Sequence, residues 1–213
     1  IRGAESRGRA MRIAVQTNAT TLTADMVDFL AQQQAILGIS IDGPAALHDA
    51  ARPTRSGRGS HQHVADALRR CRDRGLDYHL IVTVSRENVR HPEHVLDEIE
   101  RHRPVTFLCK PVLARGEADT AWEAVGATAA EIAAFLRTSV LRASGSSLQL
   151  LDQSAAKFLS RLFGDPRGWR EACTSRNCGS GRSLHVLSAR GEVHACPRYV
   201  EPGRGVKAPP QDL

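Results

Sequence analysis

Apolar residues fall along the first half of the chain in two alternating rhythms. Short runs at Arg12-Ile13-Ala14-Val15-Gln16, Ala35 to Ile41, Tyr78 to Val84 and Val105 to Cys109 have the length and branched content of strands. Between them, apolar positions recur at helical spacing. Thr23 can cap a helix whose apolar face is Met26, Val27, Phe29 and Leu30. Ser60 can cap another, carrying Val64, Leu68 and Cys71 and closed by Gly75. Pro92 suits the first turn of a third, with Val95, Leu96 and Ile99 inward. Strands alternating with helices at this spacing imply right-handed crossovers and a parallel sheet or barrel. Sites in such folds form at the C-terminal ends of the strands. Here those loops are Thr17 to Thr20, Asp42-Gly43-Pro44, Ser85 to Asn88 and Lys110 to Gly116.

The second half reads differently. Residues 117–127 look like a connector, and Thr128-Ala129-Ala130-Glu131 is a capping box opening a helix to about Arg142. A further helix is expected from about Leu148 to Phe163. A hairpin follows, Leu184 to Leu187 turning through Ala189-Arg190-Gly191 to Glu192-Val193-His194, and the tail after Pro202 is expected to fray. The domain expectation is residues 1–116 as a partial barrel, 117–170 as linking helices and 171–213 as a cysteine module.

Composition changes this picture little. Net charge is +6, but the arginines are interleaved with acids along the chain rather than clustered, which argues against a phosphate-binding face and nucleic-acid partners. No run of about 18 apolar residues occurs, so no membrane span is expected. The segment Ile1-Arg2-Gly3-Ala4-Glu5 has neither Met nor the apolar stretch of a secretory signal. The expectation is a piece of a longer protein in the reducing cytoplasm.

Cysteine usage matters more. Of 5 cysteines, three stand as C-x4-C-G-x-G, a hairpin, then C: Cys173, Cys178 and Cys196. One loop can present two thiolates and the hairpin can return the third, while Gly179 and Gly181 permit tight turns beside them. Thiolates select zinc or iron–sulfur clusters, and spacing does not choose between these. A closed site needs about four ligands, so His185, His194 or an open position completes it. Cys71 and Cys109 sit on apolar faces and read as core. The remaining histidines read as dispersed, without ligand spacing.

The stretch C-T-S-R-N-C-G-S-G-R-S-L-H-V-L-S-A-R-G-E-V-H-A-C-P resembles the start of a SPASM domain. Upstream, Q-T-N-A-T-T-L-T and G-I-S-I-D-G-P-A-A-L-H-D-A-A-R resemble the third and fourth strand ends of the radical SAM barrel. The group most resembled includes anaerobic sulfatase-maturating enzymes and ribosomal-peptide maturases. The resemblance implies an α/β fold: a partial (β/α)6 radical SAM barrel with an incomplete C-terminal SPASM module. It implies S-adenosylmethionine bound by Ser40 and Arg52, with Leu113 and Asn18 on the same rim. It also implies an auxiliary [4Fe-4S] cluster on Cys173, Cys178 and Cys196, and a peptide or protein substrate. For Ser40 and Asp42, ordinary turn chemistry in S-I-D-G-P is the alternative. The family's C-x3-C-x2-C loop, which would precede Met11, is not in the sequence, so reductive cleavage of the cofactor is not expected of this chain alone. The sulfatase maturases carry an Asp after the third SPASM cysteine; here Pro197 stands there, which points to another peptide-modifying chemistry. A zinc-binding structural module is the alternative function.

Overall fold

The computed structural model describes residues 13–114, 116–145, 150, 152–162, 180, 184–196, 200 and 206–207. The chain divides into two compact units, Ile1–Phe158 and Leu159–Leu213.

The first unit is built on four parallel strands in the order β1 (Ala14–Thr17), β2 (Ile36–Ser40), β3 (Tyr78–Val84), β4 (Thr106–Pro111). The crossovers are α1 (Ala24–Gln32), then α2 (Ala45–Ala51) with α3 (His61–Asp73), then α4 (Pro92–His102). Each strand was legible in sequence to within a few residues, because each is a short apolar run bounded by a turn. Alternation along the strands sorts residues onto two faces. Leu37, Ile39, Leu80, Val82, Phe107 and Cys109 form the outer face under the helices and are buried, together with Val27, Val64, Leu68, Val95 and Ile99. Gly38, His79, Ile81, Thr83 and Leu108 form the inner face and are only half-buried. That asymmetry marks an open barrel rather than a sheet covered on both sides.

Several helix expectations need correction. On α1 only Val27 is buried; Met26 is 51% and Phe29 57% exposed. Thr23 does cap this helix, accepting from the Met26 amide at 3.3 Å. Ser60 stands at the N-cap of α3, but its hydroxyl donates instead to the Arg52 carbonyl. The capping acceptor is Asp49 on α2, whose Oδ1 takes the Ser60 and His61 amides at 2.8 and 2.7 Å. A Cβ at Gly59 would run into the Asp49 carboxylate at 2.1 Å, so glycine there allows the approach. Gly75 ends α3 at φ +65°, as a left-handed cap requires.

The connector contains two short helices, α5 (Glu117–Thr120) and α6 (Trp122–Val125). The Thr128–Glu131 capping box then opens α7 (Ala129–Gly145), with the Thr128 amide donating to Glu131 at 2.8 Å and the return bond at 3.2 Å. Phe135 of α7 enters the barrel core, and Arg142 is clamped by Glu93, Asp97 and Glu100 of α4. The stretch Trp122–Gly145 is long and apolar enough to cross a membrane by composition, and 22% of that window is buried. Last in this region, α8 (Gln153–Leu162) is capped by Asp152. In the second unit, β5 (Val186–Leu187) and β6 (Glu192–His194) form the expected hairpin through Gly191 at φ +76°. Val206–Lys207 is a third strand, β7, antiparallel to β6, where the sequence reading had a frayed tail.

The long connection from β2 to α3 is anchored by His48. Its ring is fully buried; Nδ1 accepts the Asp42 amide at 3.2 Å and Nε2 faces the Ser60 hydroxyl at 3.1 Å. The bond from the Asp42 amide requires an unprotonated Nδ1, so the Nε2–H tautomer donates to Ser60, which donates onward to Arg52. Burial is the main force that pushes the His48 pKa down to about 4, against the pull of Asp42. An unfolded histidine titrates near 6.5, so the unfolded chain holds more protons between these values, and stability rises with pH there. The His48 contribution is therefore complete above 6.5 and lost as pH falls through about 4. Denaturant unfolding at a series of pH values should show this positive slope, and His48→Gln should flatten it. Equal slopes in both proteins would contradict the assignment.

Candidate functional site

The functional loops meet where β2 and β3 end. Asp42, two residues past β2 and 2% exposed, sits at their junction. Its Oδ1 accepts the Thr83 amide at 2.8 Å and Arg52 Nη2 at 3.3 Å, and its Oδ2 accepts Arg52 Nε at 2.5 Å. Arg52 Nη2 also reaches the Thr83 hydroxyl at 3.1 Å. A guanidinium gripped along one edge by a carboxylate is fixed in plane. These bonds use Nε and Nη2, and 29% of the Arg52 side chain is exposed.

Asn88 completes the junction from the other side. Its amide donates to the Asp42 and Thr83 carbonyls at 3.1 and 2.9 Å, and its Oδ1 takes the Ser85 amide at 2.8 Å. Gly43 permits the turn: its φ is +126°, and an added Cβ would lie 3.2 Å from Val95. Beside this network opens a pocket of about 570 Å³, lined by Asp42, Arg52, Thr83, Ser85, Glu87 and Val112 among others.

The sequence-expected site residues divide by position. Arg52 lines the pocket. Ser40 ends β2 on the inner face that also carries Thr83, and its ladder partner is Ile81, so it stands at the same end of the sheet. It is buried and does not line the pocket. Asn18 follows β1, and its carboxamide is engaged locally by the Thr20 amide and hydroxyl at 3.3 and 3.1 Å. Leu113 follows β4 and is 53% exposed. Asp42, His48, Thr83 and Asn88 were missed as site residues. Asp42 and His48 have one sequence signal, S-I-D-G-P with a His and an Arg at fixed later positions, while Thr83 and Asn88 have none.

For the cysteines, Cys173 and Cys178 lie outside the described residues. Cys196 is half-buried just past β6. Ser180 donates to the Ala195 carbonyl at 3.1 Å. His194 is buried, and its Nε2 makes no hydrogen bond among the described residues, its neighbour being Glu192 Oε2 at 3.5 Å. A metal site with one imidazole fits a nitrogen so placed. Cys71 and Cys109 are core, as expected, and burial pushes the Cys71 thiol up to about 11 and Cys109 well above its ordinary value. The reading of all other histidines as dispersed is overturned: His61 and His102 converge on one oxygen of Glu98.

Residues 2–99 match the Radical SAM superfamily family model. The serine-type anaerobic sulfatase-maturating enzyme of Bacteroides thetaiotaomicron is 30% identical over 87 residues, covering 41% of this chain and 21% of that one. The cysteine-type anaerobic sulfatase-maturating enzyme of Clostridium novyi is 26% identical over 82 residues, 38% of this chain and 22% of that one. Among solved structures, native anSMEcpe with bound AdoMet superposes at TM-score 0.75 and 17% identity, covering 94% of this chain and 54% of that one. The same enzyme with bound AdoMet and the Kp18Cys peptide gives 0.73 and 17%, covering 94% and 55%. The chain thus spans about half of those structures, and its sequence matches cover about a fifth of the curated relatives. In sequence over residues 2–99, and in its parallel α/β partial-barrel fold over nearly its whole length, the chain is similar to the radical SAM enzymes that include the anaerobic sulfatase-maturating enzymes.

Proposed function

We propose that this chain is the cofactor-rim and auxiliary-cluster segment of a radical SAM maturase acting on a peptide or protein in the cytoplasm. Residues 1–116 form its partial barrel, 117–170 its linking helices and 171–213 an incomplete SPASM module. The observation that carries the reading is Arg52, fixed in plane by buried Asp42 and lining a pocket at the strand ends.

In this reading Arg52 binds the carboxylate or ribose edge of S-adenosylmethionine. Asp42 and Thr83 orient the guanidinium, and neutral His48 holds the Asp42 amide. Ser40 contributes from the inner face, while Asn18 and Leu113 border the site. When bound beside a reduced iron–sulfur cluster, S-adenosylmethionine supplies a 5′-deoxyadenosyl radical that removes hydrogen from substrate. The 213 residues hold no C-x3-C-x2-C motif, so these residues bind and orient but do not generate the radical themselves.

Cys173, Cys178 and Cys196 hold the auxiliary [4Fe-4S] cluster. The Ser180–Ala195 bond supports this, because it joins residues that flank the second and third cysteines in sequence. Buried His194, whose Nε2 makes no hydrogen bond among the described residues, favours a second reading of the same module, a structural zinc site with three thiolates and one imidazole.

Three outcomes are expected. Arg52→Lys should weaken binding of S-adenosylmethionine by roughly 10–100-fold, the worth of one charge-assisted hydrogen bond at about 1.5–3 kcal/mol. Equilibrium dialysis checks this, and equal binding by both proteins would exclude Arg52 from the site. Under strong reductant the chain should release no 5′-deoxyadenosine above a protein-free control, as read by chromatography. Anaerobic reconstitution should load iron with a visible charge-transfer spectrum, and Cys196→Ala should abolish uptake while leaving barrel circular dichroism intact. Colourless zinc loading instead would decide for the second reading.

A further inference from the structure

We propose that His61, Glu98 and His102 form a binding site for a divalent cation of the zinc type, separate from the cofactor rim and the cysteine module. His61 opens α3, and Glu98 and His102 lie one turn apart on α4. Their ligand atoms all lie within 4.8 Å of one another. His61 Nε2 and His102 Nε2 stand 2.9 and 2.8 Å from the same atom, Glu98 Oε1.

Two imidazoles and one carboxylate are a zinc donor set, and three protein ligands leave a fourth position open to water. Zinc holds N and O ligands at about 2.0–2.2 Å, so a tetrahedral site separates them by roughly 3.3–3.6 Å. Each imidazole nitrogen needs to move away from Glu98 Oε1 by less than about 1 Å to admit the ion on that geometry.

The surroundings are those of a built site. Glu98 is 1% exposed. Its Oε1 accepts from both imidazoles, which act as N–H donors in the metal-free state. A buried anion is what a cation replaces two N–H donors to reach. The second carboxylate oxygen is held by Arg101 Nη1 at 2.5 Å, an outer contact that fixes the ligand's orientation. His61 is fixed by Asp49 through its backbone amide, and Tyr78 donates to the His102 carbonyl, so each ligand is anchored outside the cluster. His61 keeps 13% of its side chain exposed, which gives the ion a way in. The ring of His61 also meets His48 edge-on at 5.6 Å, so the site adjoins the residue that holds the Asp42 amide. A cation here would cross-link α3 to α4 beneath the cofactor rim. The competing outcome is a hydrogen-bonded network that binds no metal.

The test uses the full chain with Cys173, Cys178 and Cys196 changed to Ser, so thiolates do not compete. Zinc titration against a chromophoric chelator should find one site, and cobalt(II) should give a visible spectrum without sulfur charge-transfer. His61→Gln and His102→Gln should each weaken zinc binding by at least about 100-fold, and Arg101→Ala by about 10–100-fold as an outer contact. If a variant does not fold, histidine-ring NMR of the parent protein decides: zinc should shift the His61 and His102 signals together. Zinc affinity weaker than about millimolar, unshifted rings, or unchanged binding in folded variants would each overturn the proposal. Retention of the site when Arg52 is mutated keeps this result independent of the cofactor reading.

Discussion

A buried carboxylate organises the first unit. Asp42 is taken almost wholly from water, and a lone charge so placed costs several kcal/mol unless it is paired and hydrogen-bonded. The chain meets that cost with the Thr83 amide on one side and the Arg52 fork on the other, groups 41 and 10 residues away. Satisfying the charge forces β2, β3 and the segment after α2 into one arrangement. The same arrangement places Arg52 in the lining of the pocket. Fold and site share one electrostatic solution here, so loss of either partner leaves the other charge stranded in a partly dry junction.

His48 shows why polarity alone does not predict protonation. A charged imidazole would suit its acidic neighbours, yet burial dominates and holds it neutral. Neutrality is also what the geometry demands, since Nδ1 must accept a backbone amide. The direction of each bond then follows, from His48 to Ser60 to the Arg52 carbonyl. His61, edge-on to His48, turns its ring instead to the Glu98 carboxylate, 2.9 Å away.

The parts legible in sequence were those governed by local rules. Tyr78–Val84 reads as a strand because apolar branched residues recur there between turn signals, and the Thr128–Glu131 box reads as a helix start because both partners lie within one turn. The failures share a cause. Ser60 has the side chain of a cap, but Asp49 from the preceding helix takes the amides and leaves Ser60 to serve His48. Met26 and Phe29 have helical spacing with Val27, yet only Val27 meets the sheet. Arg52 was found through a motif, while Thr83 and Asn88, which position the same junction, carry no local mark. His61 and Glu98 are 37 residues apart in sequence, and only the crossover geometry makes them neighbours. Tertiary partners chosen across a crossover leave no period and no spacing to read.

The two faces of the sheet divide the work. Outer-face residues such as Leu37, Ile39, Leu80 and Val82 are fully buried under the helices and supply the apolar burial on which folding depends. Inner-face residues are half-buried and mixed in character, from Ile81 to His79, whose Nδ1 is buried without a hydrogen-bond partner among the described residues and whose burial lowers its pKa. A parallel sheet that is finished as a structural element seals both faces. This one seals only the face that carries stability. Ser40 and Thr83 lie on the other, across the sheet from the packed core beneath α1, α3 and α4.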